Sequence, residues 1–157
     1  MPQETDLRQV VTFRLGGEEF GIPISDVNEI IFVPAITPIA KAPPSVVGIM
    51  NLRGNIIPVI DLRIALRMPV AERTKKQRII VAQIGGKPTG VMVDEVTQVL
   101  HVTEEMLENA PDRVMTSQTR YIRGICKIQD RLIVLLDLGE VLEKDELEFV
   151  EKGRNEI

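Results

Sequence analysis

Leu15-Gly16-Gly17-Glu18-Glu19-Phe20-Gly21-Ile22-Pro23-Ile24 and Ile84-Gly85-Gly86-Lys87-Pro88-Thr89-Gly90-Val91-Met92-Val93 carry one pattern twice, offset by 69 residues. In each, an apolar run meets a Gly-Gly turn and a second apolar run leads away from it. Upstream, Val11-Thr12-Phe13-Arg14-Leu15 alternates apolar with polar, the period of a half-buried strand. Glycine enters φ > 0 without a Cβ clash, so Gly16-Gly17-Glu18-Glu19 and Gly85-Gly86-Lys87-Pro88 read as hairpin turns. Pro23 lacks a backbone donor and suits a sheet edge or a strand end. The same offset carries Val27 and Ile30-Ile31 onto Val96 and Val99-Leu100.

A second hairpin follows in each copy. Gly48–Leu52 pairs with Ile56–Ile60 across Arg53-Gly54-Asn55, and Gly124–Ile128 with Leu132–Leu136 across Gln129-Asp130-Arg131. Here the offset is 76 rather than 69, so the second copy has gained seven residues between its halves. Thr103-Glu104-Glu105, a capping side chain with an acidic first turn, starts a short helix within that extra length. Both Ile56–Ile60 and Leu132–Leu136 are nearly continuous apolar runs, which implies burial on both faces. Each ends at an aspartate, Asp61 or Asp137, followed by apolar residues spaced for one helix face: Leu62, Ala65 and Leu66, then Leu138, Val141 and Leu142.

Short strands at regular spacing, glycine-rich turns and few helices imply an all-β fold with short helices and one small barrel per repeat. Residues 11–66 form the first barrel and 79–142 the second. The stretch from Glu140 to Lys152 reads as a C-terminal helix, with 143–152 its distinct part and Gly153 its stop. Arg67–Arg78, polar and containing Pro69, is the linker. At 157 residues the two units are each near the size where a lone core is marginal, so they pack on each other.

Composition narrows function by exclusion. A net charge of −4 and the scarcity of aromatics argue against nucleic acid and against a carbohydrate-stacking module. The lone Cys126 excludes an intrachain disulfide and sits in an apolar strand pattern, as a core residue does. The only histidine, His101, has no neighbouring nucleophile, and no metal-ligand spacing occurs. Asp61 and Asp137 fall where strand gives way to helix, the position of an N-cap rather than of an acid–base pair. No catalytic, cofactor or metal site is expected. The polar, acidic start Met1–Asp6 is unlike a signal peptide, and the expected location is cytoplasmic.

What remains is surface. Ile30-Ile31-Phe32-Val33 is more apolar than a small barrel needs, and part of it, with Val99 as the second-repeat counterpart of Ile30, can line a groove for an apolar helix. Arg53 sits in a turn, from which its guanidinium can reach a partner carboxylate. At these residues the chain resembles the CheW family of bacterial chemotaxis coupling proteins. The resemblance runs through Gly17–Ile22, Val27-Asn28-Glu29-Ile30, Pro44–Ile49, Asn51-Leu52-Arg53-Gly54 and Ile57–Arg63. It continues through Gly90–Val96, Tyr121–Ile125 and Leu132–Leu138.

That resemblance implies that 1–157 is a single CheW-like domain of two intertwined, five-stranded SH3-like β-barrels sharing a core. It implies a non-catalytic adaptor that binds the cytoplasmic tip of methyl-accepting chemotaxis proteins and the CheW-like regulatory domain of the histidine kinase CheA. The alternative is the same kind of scaffold in a non-flagellar chemosensory pathway. Val27, Glu29, Ile30, Asn51 and Arg53 match motifs implicated in partner binding, and Val33 and Val99 join them as expected contacts. Direct membrane insertion and nucleic-acid binding are not expected; recruitment to receptor arrays runs through protein contacts. The second repeat departs from the first at two of these positions, with Gln98 for Glu29 and Gln129 for Arg53.

Overall fold

The computed structural model describes residues 8–69, 72–112 and 119–152. Met1–Asp6, residues 70–71 of the linker and the helix stop expected at Gly153 lie outside them. The first repeat contributes β1 (Gln9–Leu15), β2 (Glu18–Pro23), β3 (Val27–Phe32), β4 (Val46–Leu52), β5 (Asn55–Asp61) and α1 (Leu62–Ala65). The second contributes β6 (Arg78–Ile84), β7 (Lys87–Val93), β8 (Glu95–His101), β9 (Leu107–Glu108), β10 (Ile122–Ile128), β11 (Arg131–Leu136), α2 (Leu138–Val141) and α3 (Lys144–Lys152). The all-β expectation with short helices holds.

Neither sheet is made from one repeat. The first sheet runs β8-β1-β2-β11-β10-β9 and the second β3-β6-β7-β5-β4. Each repeat therefore lends its first hairpin to the other repeat's strands, through parallel pairing of β2 with β11 and of β5 with β7. The barrels are intertwined, as expected, but the sequence units 11–66 and 79–142 are not the units of the sheets. A strand count of five each also needs correction, because the first sheet has β9 as a sixth, two-residue strand against Ile125 and Cys126. Its counterpart in the second sheet is a single bridge, Thr37 to Ile49, at the offset of 76 that relates Ile49 to Ile125.

The exchange explains the burial pattern. On β6, Ile79 and Val81 point into a core with Met50, Ile57, Val59 and Met92, inside the second sheet. The alternate residues Ile80, Ala82 and Ile84 point the other way, into a core shared with Val11, Phe13, Leu15, Phe20 and Ile22 of β1 and β2. On β1, Val10 instead joins Val102, Cys126, Ile133 and Leu135 inside the first sheet. The hairpins β1–β2 and β6–β7 are thus covered on both faces, and their rows of buried residues form the seam between barrels. Each fully buried Leu, Ile or Val there contributes about 1.5–3 kcal/mol, and the shared core holds more buried residues than either barrel's own core.

Local chemistry sets the ends of elements. All four hairpins close with two-residue loops, at Gly16-Gly17, Arg53-Gly54, Gly85-Gly86 and Gln129-Asp130, tighter than the sequence reading. Asp61 Oδ1 accepts the Arg63 N–H at 2.9 Å, and Asp137 Oδ1 accepts those of Gly139 and Glu140 at 3.0 and 3.3 Å, so both aspartates cap helices as expected. Thr103 makes no side-chain cap; Glu104–Met106 is one 3₁₀ turn. The expected helix from Glu140 onward is broken, because Leu142 is extended with ψ 141°. The chain restarts as α3 where Glu146 Oε1 accepts the Glu143 N–H at 2.7 Å, a capping-box bond, while its Oε2 takes the buried Ser45 hydroxyl.

Candidate partner-binding surface

Strand β3 is an edge of the second sheet, paired only with β6, and a bulge at Asn28 interrupts its register between Val27 and Glu29. Its residues alternate between half-buried and exposed. Val27 packs on the shared core, and Ile31 and Val33 pack on the core of the second sheet. Ile30 is 39% exposed and Phe32 74% exposed. Val27 and Val33 are thus supports under this strand, whereas Ile30 is a surface residue.

The strand at the opposite edge, β4, carries Asn51 and runs into the turn that carries Arg53. Asn51 Oδ1 accepts the Gly54 N–H at 2.8 Å and clamps that turn. Arg53 and Gly54 both have positive φ, 51° and 90°, the geometry of a type I′ loop, which asks for glycine at its second place. From there the Arg53 guanidinium reaches Glu29 with both terminal nitrogens: Nη2 to Oε2, and Nη1 to Oε1 at 3.3 Å. The Glu29 hydrogen bonds hold the guanidinium still more firmly charged than usual. This ion pair links the two edge strands of one sheet and closes its barrel. The sequence offered Arg53 a carboxylate on a partner; the structure gives it one on its own chain.

Three of the expected residues, Glu29, Asn51 and Arg53, are therefore brought together, with Ile30 next to Glu29 on β3. Val99 is not among them. It lies on β8 of the other sheet, opposite Val11, and is 53% exposed. In that barrel the closing pair has no counterpart, since Gln98 and Gln129 are uncharged. Its polar ties lie elsewhere: Thr12 Oγ1 and Thr97 Oγ1 are 2.5 Å apart, and Arg131 Nη2 donates to the buried Glu19 at 2.8 Å. The two barrels share a backbone plan and differ in surface charge.

Sequence reasoning placed Phe32 in the surplus apolar run but left it out of the expected contacts. Its period-two spacing from Ile30 was the available signal. Also missed were Ile56 and Leu132, 47% and 59% exposed at positions related by the 76-residue offset. The residues set aside as non-catalytic have other places: His101 ends β8 on the surface, and Cys126 is fully buried, its thiol pushed up by burial.

Comparison with known proteins meets this geometry. The chain is 34% identical over 148 residues to the Chemotaxis protein CheW of Klebsiella aerogenes, covering 94% of this chain and 89% of that one. It is 36% identical over 141 residues to that of Rhizobium meliloti, covering 90% and 91%. A weaker match, 26% over 115 residues, is Protein PilI of Pseudomonas aeruginosa, covering 73% of this chain and 65% of that one. The crystal structure of the scaffolding protein TtCheW from Thermoanaerobacter tengcongensis superposes with a TM-score of 0.80 at 35% identity, covering 88% of this chain and 94% of that one. The likeness agrees with two SH3-like barrels. The CheW-like domain family matches residues 9–146, and with these relatives it establishes that the chain belongs to the CheW family of chemotaxis scaffolds, which are not catalysts.

Proposed function

We propose that this scaffold couples the cytoplasmic tips of methyl-accepting chemoreceptors to the histidine kinase CheA and brings kinase activity under receptor control. It works in the cytoplasm, held at receptor arrays by protein contacts alone. The observation that carries this reading is the pairing of two like barrels with unlike surfaces. One is closed by Glu29–Arg53 beside the apolar Ile30; the other has Gln98 and Gln129 in those places beside Val99. An adaptor for two partners needs related but non-interchangeable faces, since charge at the rim sets partner choice while apolar residues supply burial. In this reading Ile30, Val99, Asn51 and Arg53 touch partners, Glu29 orients Arg53, and Val27 and Val33 hold β3 in position. Modest single contacts then gain strength through multivalency in an array.

Titration with a receptor-tip fragment and, separately, with the CheA regulatory domain tests it by NMR shift mapping. Two distinct patches are expected, including residues of β3 and of the Asn51–Gly54 turn. Absence of binding to both fragments contradicts the proposal. The match to Protein PilI favours one second reading, a scaffold of the same kind in a non-flagellar chemosensory pathway. Deletion of the gene separates the two by whether swimming or surface motility is lost.

A further inference from the structure

Phe32, the last residue of β3, is 74% exposed, more than any other large apolar side chain among the described residues. It is not loose. The Arg78 guanidinium carbon lies 4.4 Å from the ring centroid, and Arg78 Nη1 is itself fixed by the carbonyls of Lys75 and Gln77, both at 2.8 Å. One face of the ring is therefore covered by a pinned cation and the rest is open. Among the described residues no carboxylate pairs with Arg78, whereas Arg53, Arg63, Arg123 and Arg131 each meet one.

Phe32 and Ile30 sit two residues apart on one face of a strand, about 6.7 Å along it. Residues i and i+4 of an α-helix are spaced by about 6 Å, so the two side chains match successive apolar positions of a helix laid along β3. An arginine left without a carboxylate beside them adds a charge requirement, because a guanidinium that loses water on binding needs an anionic acceptor. The equivalent positions in the other barrel are Val99 and His101, with Gln9 in place of Arg78, so the phenyl ring under a fixed guanidinium does not recur.

We infer that Phe32 and Arg78 form a selectivity contact that reads a partner helix bearing apolar residues at i and i+4 with a carboxylate next to the second. The inference rests on the proposed coupling to receptors and deepens it, by assigning this surface to the receptor-tip helix and naming the sequence that tip must carry. Aromatic and arginine side chains are the residue types that most often dominate an interface, and cation–π attraction strengthens when water is excluded.

The test is calorimetric titration of the intact chain with a receptor-tip helical hairpin. Phe32→Ala is expected to weaken binding about tenfold, the loss usual for an interface hot spot, with an unchanged melting temperature. Arg78→Glu is expected to weaken it further, and a glutamate-to-lysine change in the tip to recover that loss. Tip affinity that survives both Phe32→Ala and Arg78→Ala overturns the inference while leaving the receptor reading intact. No tip binding by the unaltered chain overturns the receptor reading and this inference together. Self-association that disappears in Phe32→Ala, with tip binding unaffected, also overturns it and makes a second copy the occupant.

Discussion

Arg53 holds a left-handed φ in its turn and spends both terminal guanidinium nitrogens on Glu29. The pair is open to solvent, where screening leaves an ion pair little influence on stability. Arg53→Glu is therefore expected to leave the melting temperature nearly unchanged while abolishing the proposed receptor control of the kinase; equal loss of both makes Arg53 a purely structural residue. Asp94 behaves differently. Burial alone raises its pKa, but Arg63, with Nε at 2.9 and 3.1 Å from the two carboxylate oxygens, and the Gly16 N–H at 2.7 Å outweigh burial and hold it below 3.8. A carboxylate depressed in the folded state stabilises above its unfolded pKa and loses that contribution as pH falls through the folded value. The stability gap between the unaltered chain and Asp94→Asn is thus expected to be full at neutral pH and to close below about pH 4, measured by urea unfolding at several pH values. Arg53 and Glu29 were each legible in the sequence as candidates. Their pairing was not, because it depends on the two opposite edges of a sheet meeting.

Hairpins are local, which is why they could be read: period-two alternation and Gly-Gly turns placed the strand pairs to within a residue or two at most ends. The exchange of hairpins was hidden. Its parallel bonds join Glu19 to Ile133 and Val59 to Gly90, residues far apart in the chain with no local pattern between them. The broken C-terminal helix was hidden too, since the buried Ser45–Glu146 contact that fixes α3 comes from the other repeat. The repeat also supplies its own control at this scale. Gly48 has φ 151°, and a Cβ there would meet the Thr37 carbonyl oxygen at 2.2 Å; at the equivalent Gly124 the nearest atom is Glu108 O at 3.4 Å. Gly48→Ala is expected to cost more than about 2 kcal/mol, through strain and overlap. Gly124→Ala is expected to cost about 1 kcal/mol or less in the same denaturant titration. Equal costs would contradict the assigned backbone of the bulge before Gly48.

Across the whole molecule, the exchanged hairpins and the core they share are expected to make the two repeats unfold as one cooperative unit. Leu136, fully buried in that core, loses about 2–5 kcal/mol on substitution by alanine. Hydrogen exchange should show both sheets opening together in Leu136→Ala, and two separate thermal transitions would contradict a shared core. The same plan suits the proposed function, because it presents two related surfaces whose chemistry has diverged at Glu29 against Gln98 and Arg53 against Gln129. The most direct test of that claim reconstitutes chemoreceptors and CheA in membranes and measures kinase autophosphorylation with and without this chain. Stimulation that attractant then suppresses is the predicted result; autophosphorylation unchanged by the chain would contradict it.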